Sequence, residues 1–145
     1  MHRRVFILLV PVLMWACFDE GNCIVNFTDV VNVAFKNMNN SAITINFDSV
    51  QSDGITLQNY TAQARSTLEL PVNPHRDTTR FLLYYGGNID SLDVTYKREA
   101  VILTSDCGAN NYVTQLKIAF TSLDSARVIN DKLLKDVPTH VEIFF

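Results

Sequence analysis

Apolar residues recur at every second position along most of this chain, and that period of two commits it to β-strands, because successive side chains of a strand point to opposite faces. Cys23, Val25, Phe27, Val31, Val33 and Phe35 share one parity, with Asn26, Thr28 and Asn32 on the other. That is the pattern of a half-buried strand or of a strand with a kink near Asp29. The cluster Asn37 to Asn40 then turns the chain, and Ile43, Ile45 and Phe47 alternate with Thr44, Asn46 and Asp48 up to a turn at Ser52-Asp53-Gly54. Further strands are expected over Thr67 to Val72, stopped by Pro74, over Arg80 to Tyr85, and over Ser91 to Thr104 with a register change near Arg98. Gly86-Gly87-Asn88 is the strongest hairpin signal, since both glycines reach positive φ without strain. Tyr112, Leu116, Ile118 and Phe120 share a parity, followed by Arg127 to Asn130 and by Val141, Ile143 and Phe145; only Asp131 to Lys135 hints at a helical turn.

About seven short strands separated by turns, with no strand–helix–strand alternation, predict an all-β fold: a single antiparallel β-sandwich of immunoglobulin-like size. The immunoglobulin signature itself is missing, because the one tryptophan, Trp15, lies in the N-terminal leader and cannot pack in a core. Strand order does not follow from the pattern.

The N-terminus has a separate logic. Met1-His2-Arg3-Arg4 is a short basic region, and Val5 to Ala16 is an apolar run that contains Pro11. The run is shorter than the roughly 20 residues needed to cross a bilayer, so it reads as an export signal. Conventional cleavage wants small residues at the last and third-last positions, and Ala16 would be paired with Met14. Cleavage just before Cys17 fits better: Leu13-Met14-Trp15-Ala16-Cys17 has the small residue and cysteine of a lipobox, with Met14 and Trp15 in place of its usual Leu and small residue. The expected organisation is a lipoprotein signal peptide over 1–16, a short tether over 17–22 behind a lipidated Cys17, and a β-sandwich domain over 23–145.

Three cysteines in an exported chain leave one over unless something consumes it. With palmitate-type acyl chains on Cys17, Cys23 and Cys107 remain, either as a disulfide or as two separate buried thiols. A bridge closing so long a loop would stabilise by about 4 to 5 kcal/mol in the chain-entropy model. All fifteen acidic residues lie behind the leader, against ten Lys and Arg once Arg3 and Arg4 are removed, so the exported part is acidic. Without a basic stripe interleaved with aromatics, nucleic acid is not an expected partner.

The segments Leu68 to Pro74, Leu92 to Arg98, Ser105-Asp106-Cys107-Gly108 and His140 to Phe145 together resemble an uncharacterised lipoprotein family of Bacteroidota, catalogued as domain of unknown function 6452. The resemblance spans nearly the whole exported chain, and its most specific element is Asp106-Cys107-Gly108 with its spacing back to Cys23, which the family pattern suggests is paired. It implies a signal, a lipid anchor and a compact domain, and it implies no activity.

Catalytic and metal-binding arrangements are weak in comparison. His75-Arg76-Asp77 copies the letters of a kinase catalytic loop, without the glycine-rich loop, strand lysine or Asp-Phe-Gly that such a site needs, and reads as a polar turn. A Cys107 nucleophile with His75 or His140 would require a free thiolate beside a base. Asp90 with Asp93, or Asp48 with Asp53, offer oxygen ligands to calcium but follow no ligand-loop spacing, and His75 and His140 are isolated as zinc ligands. No cofactor, no metal and no enzyme activity are expected. The expected role is a structural or protein-interaction module of the cell envelope, anchored by lipid to the outer membrane on its periplasmic or surface face, with an envelope protein as partner through an exposed strand edge or the apolar C-terminal strand. The alternative is a glycan-binding module. With no tryptophan behind the leader its platform falls to Tyr60, Tyr84, Tyr85, Tyr96 or Tyr112, of which adjacent Tyr84 and Tyr85 must point to opposite faces, leaving one available to a sugar.

Overall fold

The computed structural model describes residues 26–60, 62–104 and 108–145. Its elements are eleven strands: β1 Val30–Lys36, β2 Ile45–Phe47, β3 Ser49–Ser52, β4 Ile55–Thr56, β5 Gln63–Arg65, β6 Thr67–Pro71, β7 Thr78–Tyr85, β8 Asn88–Thr104, β9 Gly108–Thr121, β10 Ser125–Val128 and β11 Val141–Phe144, with one short 3-10 turn over Gln58–Tyr60. They form a four-stranded sheet in the order β10-β11-β1-β6, a five-stranded sheet in the order β4-β3-β7-β8-β9, and a small β2-β5 ladder. Among the described residues no helix is long and apolar enough to cross a membrane.

The expected all-β sandwich is what the chain forms. The core lies between the inner faces of the two larger sheets, and the alternation puts it there: Val31, Val33 and Phe35 from β1, Leu68 and Leu70 from β6 and Val141 and Ile143 from β11 meet Val50 from β3, Phe81 and Leu83 from β7 and Leu92 and Val94 from β8. A bend at Asp29 precedes β1, which decides between the two readings of this segment in favour of the kinked one. Both turns read from the sequence close hairpins. Asp53 and Gly54 have φ of 47° and 84°, and Gly86 and Gly87 have 54° and 81°, the backbone that a two-residue turn of the I′ type requires.

The finer expectations need four corrections. The described residues form eleven strands rather than about seven, because the run from Ile43 to Ser52 divides at Asp48, with β2 pairing with β5 and β3 moving to β7 in the five-stranded sheet, and because the short β4 and β5 were not read from the pattern. The sandwich is not strictly antiparallel, since β11 pairs parallel with β1, Val33 opposite Val141 and Phe35 opposite Ile143. In β9 the parity breaks. An extra residue at Gln115, held at φ 55°, and another at Ala119 shift the register against β8, so Val113 and Leu116 face the core while Phe120 faces outward opposite Asp93. Asp131 to Lys135 is not helical. Its backbone is spent on long-range bonds instead, the Leu133 N–H to Val113 O and the Lys135 N–H to Asn26 O.

The apolar C-terminal strand, one of the two contacts the sequence suggested, is not open to a partner. β11 lies inside its sheet between β10 and β1, with Val141 and Ile143 fully buried.

Candidate functional site

The chemistry that the fold leaves open lies on the outer face of the five-stranded sheet. Because Phe81, Leu83 and Tyr85 turn inward from β7, Thr78, Arg80, Leu82 and Tyr84 turn outward. The Gly86-Gly87 hairpin sets the register that carries this face onto β8: Ile89 lies opposite Tyr84, Ser91 opposite Leu82, Asp93 opposite Arg80 and Thr95 opposite Thr78. The bulge at Ala119 adds Phe120 next to Asp93. Tyr84, Leu82, Ile89 and Phe120 therefore form the apolar part of one surface, with Ile89 62% and Phe120 55% exposed. Leu82 and Tyr84 beside them are half-buried, and Phe120 stands apart from Ile89, opposite Asp93 four residues further along β8.

The other part of the face is polar and shaped. A groove of about 480 Å³ runs past Thr78, Arg80, Leu82, Asp93, Thr95 and Arg76. Arg80 grips Asp93 with two hydrogen bonds, Nε to Oδ1 at 2.8 Å and Nη2 to Oδ2 at 2.6 Å. Asp53 forms the groove's rim by bracing two turns: its carboxylate accepts the Arg80 N–H at 2.9 Å and the Asn73 side-chain amide at 2.6 Å. On the far side of Asp53 a smaller cleft of about 370 Å³ is lined mainly by apolar groups, Ile55, Leu57, Pro71, Val72 and Pro74 among them.

Tyr84 and Tyr85 point to opposite faces, as expected for neighbours on a strand. Tyr84 belongs to the outer surface. Tyr85 is drawn into an aromatic cluster, its ring 6.1 Å from Phe47 and 5.6 Å from Phe145, and its hydroxyl donates to Asp90. Burial first, and then that carboxylate, push its phenol far above the ordinary range. The remaining tyrosines are engaged in the fold. Tyr60 caps Glu69, Tyr96 joins a buried network with Thr79 and the Asn73 carbonyl, and the Tyr112 ring packs 4.3 Å from Phe27 at a tilt of 40°.

The other candidate residues do not converge. Asp90 accepts hydrogen bonds from Tyr85 and Ser122 while Asp93, three residues along the same strand, points to the opposite face and holds Arg80. Asp48 is exposed, and Asp53 is occupied by its two turns. His75-Arg76-Asp77 is a polar turn: the His75 N–H bonds the Asn73 side chain, and Asp77 and the Pro74 carbonyl both hold Arg98. His140 is fully buried and bonds to Asn32 rather than to that turn. Its Nδ1 accepts the Asn32 N–H at 2.9 Å, and burial pushes its pKa below the ordinary value while an attraction to the Lys132 backbone works the other way. Among the described residues no three His, Cys, Asp or Glu side chains gather into a metal-binding group. Cys17, Cys23 and Cys107, and with them the signal, the tether and the disulfide, lie outside the described residues.

Ile89 and Phe120 are the surface residues that the sequence pattern missed. A signal for Ile89 was present, since a two-residue Gly86-Gly87 turn places it opposite Tyr84, and Tyr84 must face outward once Tyr85 faces in. None existed for Phe120, whose orientation depends on a bulge.

A family model described as "Family of unknown function (DUF6452)" matches residues 40–145. The match covers β2 to β11 and stops short of β1, Cys17 and Cys23. No curated protein and no solved structure matches the chain.

Proposed function

The chain belongs to the family of unknown function DUF6452, and from that premise we propose that it is a lipid-anchored interaction module of the cell envelope whose contact surface is the outer face of the five-stranded sheet. The observation that carries this reading is the continuity of Tyr84, Leu82, Ile89 and Phe120 with the groove at Arg80 and Asp93. Aromatic and aliphatic groups exclude water at the centre of such a contact, and the Arg80–Asp93 pair beside them fixes orientation. The anchor rests on the leader and on Cys17. One acyl chain holds a protein weakly, so stable attachment calls for the several chains of a bacterial lipoprotein.

Two measurements test the two halves. Intact mass of the membrane-extracted protein should show residues 1–16 missing and lipid added on Cys17; a mature form beginning elsewhere without added mass rules out the anchor. For the contact face, a photo-crosslinker placed at Ser91, between the apolar and polar parts, should capture one stoichiometric envelope protein, and Ile89→Ser should abolish the capture. Capture that persists in Ile89→Ser places the contact elsewhere.

A glycan-binding reading draws on Tyr84 alone, because Tyr85 is turned into the core. A glycan array probed with the lipid-free chain should show no specific binding. Specific micromolar binding lost in Tyr84→Ala would reverse the order of the two readings.

A further inference from the structure

Among the described residues β6 is an edge strand of the four-stranded sheet, and its outer side is closed by side chains rather than by a neighbouring strand. The Phe35 N–H bonds Ser66 O at 3.0 Å and the Val72 N–H bonds Asp29 O at 2.8 Å, so residues 66, 68, 70 and 72 spend their backbone groups on β1. By alternation Thr67, Glu69 and Pro71 present theirs to the edge. Pro71 has no N–H to offer, and its carbonyl accepts the Ser52 hydroxyl at 2.8 Å. Glu69 is held by a single phenol: the Tyr60 hydroxyl accepts the Glu69 N–H at 3.0 Å and donates to the Glu69 carbonyl at 3.0 Å. Those are the two bonds that a residue of a paired strand would make.

Tyr60 can do this because the chain folds back over the edge. The 3-10 turn Gln58–Tyr60 is tied to β3 through the Leu57 N–H, which bonds Val50 O at 2.7 Å, and the turn is closed by the Tyr60 N–H to Leu57 O at 3.2 Å. Between this turn and the strand lies an open, mostly polar groove of about 510 Å³, lined by Gln58, Tyr60, Gln63, Arg65, Thr67 and Glu69. At the end of β6 remote from Pro71, Thr67 faces this groove and is exposed.

We propose that the β6 edge is a latent pairing site for a second copy of this chain, and that the Tyr60 hydroxyl keeps it closed. The register supports the choice of partner. Two β6 strands related by a two-fold axis at Leu68 set Thr67 of each opposite Glu69 of the other. All four edge-facing N–H groups then meet carbonyls, and no like charges face one another. Beyond Glu69 the proline ends the ladder, which limits the contact to a short, weak and concentration-dependent one. An unguarded edge strand invites pairing of this kind, and edges are ordinarily blunted by proline and covering groups, the two devices present here. The proposal is independent of the contact face on the five-stranded sheet.

The experiment uses the full chain carrying Cys17→Ser, so that no acyl group adds its own association, and reads mass against concentration by sedimentation. The parent should remain a monomer. Tyr60→Ala removes the ring together with the hydroxyl and so uncovers both edge groups of Glu69, and its apparent mass should double as concentration rises; Thr67→Pro added to it removes an edge N–H and should restore the monomer. A folded Tyr60→Ala chain that stays monomeric over the same range, or a doubling that Thr67→Pro leaves in place, overturns the proposal. A parent that is already dimeric and becomes monomeric with Thr67→Pro overturns the guarding role of Tyr60.

Discussion

The two outer faces of the sandwich are built from the same alternation and end in opposite chemistry. On the four-stranded sheet the outward residue at the middle of β11 is Glu142, and both of its oxygens are taken: Lys36 Nζ lies 2.6 Å from Oε1 and Arg127 Nη2 lies 2.6 Å from Oε2. Arg127 also covers the Phe144 ring at 5.0 Å. Glu142 is only 8% exposed beneath these two side chains. That face is sealed by its own residues. On the five-stranded sheet the Arg80–Asp93 pair covers only part of the outer face, and beside it Leu82 and Tyr84 are half-buried while Ile89 and Phe120 are 62% and 55% exposed. A sheet face closed by an internal ion-pair network has little to give a partner, because any contact must first break it; a face with uncovered apolar groups gains from burial at once.

If the faces differ in chemistry and share one scaffold, damage to the core must affect both. Phe81 is fully buried between the sheets. Phe81→Ala should cost about 3–5 kcal/mol, from lost burial and the cavity left behind. Denaturant unfolding should show one transition, shifted as a whole for probes on either sheet. Two separate transitions would mean that the sheets fold independently and that their faces cannot be compared as parts of one unit.

The next effect falls on the sealed sheet alone. His140 precedes β11 and joins it to β1 twice, since its own N–H bonds Asn32 O at 2.8 Å and its Nδ1 accepts the Asn32 N–H. The neutral ring is the one that fits, because a proton on Nδ1 would remove that acceptor. Burial lowers the folded pKa below the ordinary value, so as pH falls the unfolded chain takes up the proton first. The contribution of His140 is therefore complete above its ordinary pKa and is lost as pH falls below it. Stability should rise with pH through the mildly acidic range, and His140→Ala should flatten that slope while costing about 1–3 kcal/mol for the amide left without its partner. An unchanged slope in His140→Ala would show that this histidine titrates freely.

These effects also mark where the sequence was legible. Alternation alone assigns Val31, Val33, Phe35, Val141 and Ile143 to one face, and turn chemistry alone finds the hairpins at Asp53-Gly54 and Gly86-Gly87, because both signals are local. The neighbour of β11 is not local. That the last strand runs parallel beside β1 depends on packing across more than a hundred residues, and no pattern within either strand encodes it. The bulges at Gln115 and Ala119 are similarly opaque: one inserted residue reverses every later side chain, which is why Phe120 reads as core in the sequence and stands outside in the fold. Of the candidate face, strand parity set Tyr84 and Tyr85 on opposite faces without saying which was outward, the Gly86-Gly87 turn carried an unread signal for Ile89, and Phe120 had none.

A smaller effect tests the seal directly. The Lys36 hydrogen bond first, and then Arg127, hold the Glu142 carboxyl below its ordinary range, against the opposing pull of burial. Glu142→Gln keeps the shape and removes the charge, and a loss of about 1 kcal/mol is expected for a network at a solvent boundary. The loss should shrink as pH falls through the acidic range, because a carboxyl with a depressed folded pKa stabilises above its unfolded value and loses that contribution as it protonates. A loss independent of pH would locate its origin in packing rather than in charge.

The smallest effect on stability is expected where the functional one is largest. Phe120 is 55% exposed, so replacing it with Ser uncovers little core, and the free energy of unfolding should stay within about 0.5 kcal/mol of the parent. Its outward position opposite Asp93 places it where a bound partner would bury the ring, and removing a central aromatic anchor typically costs 2 kcal/mol or more of binding, roughly a thirtyfold loss of affinity. Phe120→Ser should therefore separate the two properties, leaving the unfolding midpoint in place while weakening capture of the partner by Ser91 crosslinking. If instead the midpoint falls by as much as in the core variant, the ring is supporting the sheet, and the open face is structural after all.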